Sequence, residues 1–173
     1  MADPSGTVFR VVVTDTNILL NLTHIDRLDL LGKLPPYSFV IPEEVVNELK
    51  DPTQAAAIQD AIAGGLLQVV QLSELSELTI YAELVQSLGI GEAACLTLAQ
   101  CRNWFIASDE KRKFYRETIA RLGVGRLLNT VGILVHAIHL GVITVEEADH
   151  AKTILEQRRF VLKFSSFRDI LPT

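Results

Sequence analysis

Two apolar rhythms alternate along the chain. Val11-Val12-Val13-Thr14 and Trp104-Phe105-Ile106-Ala107 are apolar runs without polar alternation, the pattern of strands buried on both faces in a parallel sheet covered by helices. Strands are predicted over 7–14, 38–41, 67–72 and 104–107. The intervening segments read as helices over 16–22, 25–34, 42–50, 53–63, 74–88, 91–102, 130–140 and 145–157, with one more running from a Ser108-Asp109 cap to about Leu122. Pro42 suits a first helical turn, where its missing N–H would be unpaired anyway, and Asp51-Pro52 should end that helix. A short strand is expected after the turn at Gly123 to Gly125, and the tail from Arg158 to Pro172 is open between strand and helix. This alternation predicts an α/β fold with a mainly parallel central sheet, and right-handed crossovers would place helices on both faces as three layers, α/β/α.

Length and composition narrow the class. With 173 residues, 49% of them hydrophobic, one well-buried domain over 1–173 is expected. The start, MADPSGTVFR, is polar and lacks the basic-then-apolar order of a secretory signal. The longest apolar stretch, 129–143, is shorter than the run of ~20 residues needed to cross a bilayer, so no membrane span is expected. Cys95 and Cys101 fall six residues apart in one predicted helix, on nearly opposite sides, and should not pair with each other. They read as buried free thiols, which suggests a cytoplasmic protein.

The net charge of -5 argues against a generic nucleic-acid binder. The distribution is uneven, however: Lys111, Arg112, Lys113, Arg116, Arg121 and Arg126 crowd into positions 111–126. Taken alone, that cluster is a solvated helix face.

Ligands of open α/β sheets bind outside the carboxyl ends of the strands. Asp15 and Asp109 each follow an apolar strand and would share that edge. Glu92 lies in the first turn of the helix opening at Gly91, and Glu48 borders the apolar face marked by Val45 and Leu49 at i and i+4. Each acid has a plainer reading: Asp15 and Asp109 as helix caps, Glu92 as a partner of the helix dipole, Glu48 as a solvated side chain. If all four meet, they need a counter-charge. Oxygen donors without Cys or His favour Mg²⁺ or Mn²⁺ and suit phosphodiester hydrolysis.

In that order and spacing, VVVTDTNILLNL, IPEEVVNEL, GIGEAACLTLA and FIASDEKRK resemble the PIN domain, the nuclease fold of VapC-like toxins that is related to flap endonucleases. The later segments LLNTVGILVHAIHLGVI and RRFVLKFSSFRDIL resemble a poorly characterised branch of the same family. The resemblance implies a Mg²⁺- or Mn²⁺-dependent endoribonuclease acting on single-stranded RNA, often a homodimer and in some members the toxin paired with an antitoxin protein. It implies a catalytic set of Asp15, Glu48, Glu92 and Asp109. Asp15 and Asp109 would be principal metal ligands, Glu92 a ligand or its partner, and Glu48 would orient a water or act as general base. Thr16, Asn17, Ser108 and Thr130 match supporting polar positions.

The pattern departs from the family after Asp109, where Glu110 is followed by basic residues rather than further acids. That places Lys111, Arg112, Arg116 and Arg121 as candidates for RNA phosphate binding beside the acidic centre. The competing reading is a module that keeps the fold and binds protein or RNA without cleaving it; a DNA-directed nuclease with the same chemistry is a third. His136 and His139, at i and i+3, lack a third partner for a metal and read as helix-surface or core-edge residues.

Overall fold

In the computed structural model, which describes residues 10–171, the valine run near the start of the chain becomes the middle of a sheet. Five parallel strands, β1 (Arg10–Thr14), β2 (Tyr37–Pro42), β3 (Gln68–Val70), β4 (Phe105–Ala107) and β5 (Leu127–Leu128), lie in the order β3-β2-β1-β4-β5. Val12, Val13, Ile41, Ile106 and Ala107 are fully buried, as expected of central strands with both faces covered. The part of the first predicted strand over 7–9 lies outside the described residues.

The helices are α1 (Thr16–His24), α2 (Glu43–Asn47), α3 (Pro52–Ala63), α4 (Leu75–Leu84), α5 (Ile90–Arg102), α6 (Lys113–Leu122), α7 (Thr130–His139) and α8 (Val145–Gln157). From β1 to β3 the chain steps one way across the sheet, then returns past β1 to β4 and β5, so right-handed crossovers put the two sets of helices on opposite faces. The packing agrees. Helices α1, α3, α7 and α8 form one group about α1, whereas α2, α4 and α6 each touch α5. The result is the three-layer α/β/α architecture. Helix α5 lies directly on β1, β2 and β4, and its buried Ala93, Ala94, Cys95 and Ala99 are small enough to permit that approach. It ends at Asn103, whose φ of 58° closes the helix in the left-handed conformation Asn tolerates.

Four predicted helices differ, one of them, over 74–88, by ending early at Leu84. Over 25–34 only a 3₁₀ segment, Leu28–Gly32, forms, because Asp26 takes a positive φ and the Pro35-Pro36 pair forbids helical continuation. Pro42 is the last residue of β2, paired with Val70, so α2 begins after it and ends at Asn47 in an i→i−3 turn. The basic helix starts at Lys113 and not at Ser108-Asp109, since those two side chains are engaged elsewhere. Cys95 is buried and Cys101 exposed, both as free thiols. No helix among the described residues is long and apolar enough to cross a membrane.

Candidate functional site

The strand order reverses between β1 and β4, so their carboxyl ends flank the crevice where open α/β sheets place ligands. Asp15 and Ser108 are the first residues beyond those two ends. The Asp15 N–H donates to the Ala107 carbonyl at 3.0 Å, which closes the two strands together up to the crevice.

Asp15 is 5% exposed. It caps α1, accepting from the Thr16 N–H at 2.8 Å, and its other oxygen accepts from the Asn17 amide at 2.9 Å and the Ser108 hydroxyl at 3.1 Å. All three donors are neutral. Burial raises its carboxyl to about 6, against the pull of Thr16 and Ser108, and the charges of Glu92 and Glu110 push further in the same direction.

Glu48 and Glu92 reach the crevice from α2 and α5. Glu92 accepts from the Gly89 N–H at 2.9 Å, and Glu48 accepts from the Gly91 N–H at 3.1 Å. Gly91 makes that contact possible: a Cβ there would stand 2.6 Å from Glu48 Oε2 and 3.1 Å from Val45 Cγ2. Asp15, Thr16, Asn17, Leu20, Glu48, Gly89, Glu92 and Glu110 surround one cleft of about 370 Å³.

Asp109 does not line this cleft. Successive side chains leave β4 on alternate sides, so Ser108 and Glu110 turn toward Asp15 while Asp109 turns toward α1 and α7. There Asp109 accepts from the Thr130 N–H at 3.0 Å, the Asn21 amide at 2.9 Å and the Thr130 hydroxyl. Burial pushes its carboxyl up, opposed by those same bonds. Asn17 links the two sides: its amide oxygen accepts from the Asp109 N–H at 3.0 Å, and its amide nitrogen donates to Asp15 and, at 3.3 Å, to Glu110. The structure thus brings Asp15, Glu48 and Glu92 together, adds Glu110, and sets Asp109 behind them with Thr130 and Asn21. Sequence reasoning passed over Glu110 and Asn21. The available signal was period-2 alternation beyond β4, which assigns neighbouring acids to opposite sides.

The basic positions divide as well. Lys111 and Arg112 line an adjoining groove, whereas Arg116 is exposed elsewhere and Arg121 is tied to Glu83 at 2.9 Å and Glu117 at 3.3 Å. His136 lies beside Tyr37 and contacts the Pro35 carbonyl at 3.0 Å.

Among the described residues the acidic cleft has four carboxylates in its wall and no Lys, Arg or His. No group of three or more His, Cys, Asp or Glu side chains among the described residues is placed to hold a metal ion. The donors nonetheless fit a hard cation that keeps much of its water, which needs only one or two carboxylates directly. Thr16 borders the cleft, and its buried hydroxyl has no hydrogen-bond partner among the described residues.

The sequence profile of the PIN domain matches residues 11–172. Among solved structures the chain is similar to the VapBC2 complex of Rickettsia felis bound to a DNA fragment from its promoter, with 18% identity, 69% of this chain and 96% of that one covered, and a TM-score of 0.44. It is also similar to PAE2754 from Pyrobaculum aerophilum, with 16% identity, 78% and 91% covered, and a TM-score of 0.48. No curated protein matches the chain.

Proposed function

The chain belongs to the PIN-domain family, and on that premise we propose that it is a Mg²⁺- or Mn²⁺-dependent endoribonuclease that hydrolyses phosphodiester bonds in single-stranded RNA. One observation carries the reading: a buried Asp15 stands at the sheet's switch point with three further acids and no cation around its cleft. The other buried carboxylate, Glu77, has a positive partner in Arg102. Asp15 is left with uncompensated charge, which a divalent ion relieves.

Asp15, Glu92 and Glu110 would hold the ion, directly or through water, and when bound it supplies stabilisation of charge developing on a phosphoryl oxygen and a more acidic water. Ser108 and Asn17 fix the Asp15 carboxylate by their hydrogen bonds. Glu48, held at one oxygen by the Gly91 N–H, takes a proton from the attacking water as general base. Asp109 acts at one remove, holding Asn17 through its own N–H and α7 through Thr130. An antitoxin partner, a homodimeric assembly and a cytoplasmic location follow from the family reading and belong to the same proposal.

The test is cleavage of a labelled single-stranded RNA with Mn²⁺ or Mg²⁺, by the wild type and Asp15→Asn. Metal-dependent cleavage abolished by the substitution supports the proposal; cleavage that survives it sinks the assignment. The second reading, a binding module without catalysis, draws on the finding that no group of three or more His, Cys, Asp or Glu side chains among the described residues is placed to hold a metal ion. It predicts RNA or protein binding that is indifferent to Mn²⁺ and no cleavage at any metal concentration.

A further inference from the structure

A groove of about 440 Å³ adjoins the acidic cleft and shares Asn17 and Glu110 with it. Its wall has a basic excess: Lys111 and Arg112 come from the loop after β4 and Arg158 and Arg159 from the end of α8, against Asp109 and Glu110. Among the described residues none of these four has a carboxylate oxygen within 4 Å, whereas Arg27, Arg102, Arg121 and Arg168 each do. Arg158 lies close enough to His24 to add to the effect of burial in lowering that imidazole below its ordinary value. Phe160 follows the arginine pair and borders both this groove and a third cleft of about 310 Å³, which also holds the exposed Tyr115.

The backbone marks the same place. Arg112 and Arg159 have φ of 71° and 67°, the left-handed region that a long side chain rarely adopts. The other two non-glycine residues with positive φ among those described are Asp26 and Asn103, types that tolerate it. Strain of this kind persists where the surroundings enforce it and clusters at ligand sites. Here it occurs once in each of the two segments that supply the groove's cations.

We propose that Arg158, Arg159 and Phe160, with Lys111 and Arg112, form a track for single-stranded RNA that feeds the acidic cleft, its phosphates on the cationic wall and a base on Phe160. The inference rests on the nuclease reading and names where its substrate lies. Unpaired cations beside an aromatic face are the combination that binds single strands, because phosphate attraction and base stacking act together. The acidic cleft would repel the same backbone, so the groove supplies the attraction that the cleft lacks. A duplex cannot stack a base on Phe160 without opening.

The experiment measures binding of a fluorescein-labelled single-stranded oligoribonucleotide to the full chain in EDTA, where no cleavage occurs, across a series of salt concentrations. The variants are Arg158→Gln with Arg159→Asn, Phe160→Ala, Phe160→Tyr and, as a control on a paired surface arginine, Arg168→Ala. Asn is chosen at 159 because it accepts the left-handed backbone. The double arginine variant should weaken binding and lower the slope of log affinity against log salt by about 1.4, since each single-strand phosphate that is no longer neutralised removes ~0.7. Phe160→Ala should weaken binding roughly five- to hundredfold with the slope unchanged, and Phe160→Tyr should restore it. A double variant with wild-type affinity and slope overturns the track, as does duplex RNA that binds as tightly as the single strand. If the wild type cleaves in Mn²⁺ and Asp15→Asn does not, the nuclease reading survives that failure; if the wild type neither binds nor cleaves, both fall.

Discussion

Glu77 and Asp15 are two carboxylates of nearly equal burial, 1% and 5% exposed, and the protein treats them in opposite ways. Glu77 receives the Arg102 guanidinium at 2.6 Å and 3.0 Å and the N–H groups of Ser73 and Glu74 at 2.9 Å and 3.2 Å. Arg102 also donates to the Gln71 carbonyl at 2.9 Å and lies over the Trp104 ring. That bracket ties α4 and α5 to the end of β3 and the start of β4, and it holds the Glu77 carboxyl down at about 2, chiefly through Arg102. Asp15 has three neutral donors, two acidic neighbours and a carboxyl raised to about 6. Burial alone therefore does not separate a structural acid from a functional one. For this pair the partner's charge does, and an acid left without a cation is a candidate for chemistry.

The comparison breaks most sharply at Asp15. Asp15→Asn should reduce RNA cleavage at least about a hundredfold, more than loss of a supporting partner of a metal ligand typically costs. The same substitution should stabilise the metal-free protein at pH 7. Because the folded state holds Asp15 above its ordinary value of 3.8, it binds more protons than the unfolded chain between about pH 4 and 6. Stability then falls as pH rises through that window, by up to about 3 kcal/mol. Activity by fixed-time cleavage and melting temperature in EDTA measure the two effects, and their opposite signs are the expected outcome.

Glu77→Gln should do the reverse, leaving the chemistry of the cleft alone and destabilising the fold by about 2–3 kcal/mol, because Arg102 loses its counter-charge in a half-buried site. Glu77 has a lowered folded value, so its contribution is present above about pH 4.5 and is lost as pH falls toward 2. A urea midpoint measured from pH 3 to 8 should show the wild type losing the Glu77 contribution at the acid end, with Glu77→Gln flattening that limb. Asp15→Asn should instead flatten the region between pH 4 and 6.

Much of this was legible in the sequence, for identifiable reasons. The β-branched runs at Val11 and Phe105 locate the central strands because burial on both faces removes polar alternation, and Asp15 follows directly as the first residue beyond one of them. Glu92 was legible because a helix start next to Gly91 leaves it near the sheet edge. The ends of α2 and α6 were not, since tertiary hydrogen bonds of Glu48, Ser108 and Asp109 decide them. The Glu77–Arg102 pair spans 25 positions and carried no local signal at all. The groove beside Phe160 is assembled from the β4 exit and the α8 end, which sequence order keeps far apart.

Gly91 sharpens the comparison from the other side of the cleft. Gly91→Ala places a methyl 2.6 Å from Glu48 Oε2, so Glu48 must turn away and lose the N–H that holds it. Cleavage should fall about tenfold, the scale of a displaced supporting group. Stability should fall by about 1 kcal/mol or more from overpacking against Val45. Glu48→Gln alone should lower cleavage without the loss of stability, and a shifted pH profile of cleavage would separate proton transfer from a packing effect.

The smallest effects distinguish two acids that are neighbours in the chain. Asp109 is held by three neutral donors, Asn21 and both donors of Thr130, on the far side of Asn17, while Glu110 faces the cleft with one amide at 3.3 Å. Thr130→Val removes a buried hydroxyl donor from Asp109 and should cost about 1 kcal/mol of stability, with a modest fall in cleavage at saturating Mn²⁺. Glu110→Gln should leave the folding stability within about 1 kcal/mol of the wild type, since an exposed side chain held by one long hydrogen bond contributes little. It should instead raise the Mn²⁺ concentration needed for half-maximal cleavage several-fold. If Thr130→Val moves the Mn²⁺ requirement and Glu110→Gln does not, then Asp109 is the ligand-side acid and the alternation beyond β4 has been assigned to the wrong side.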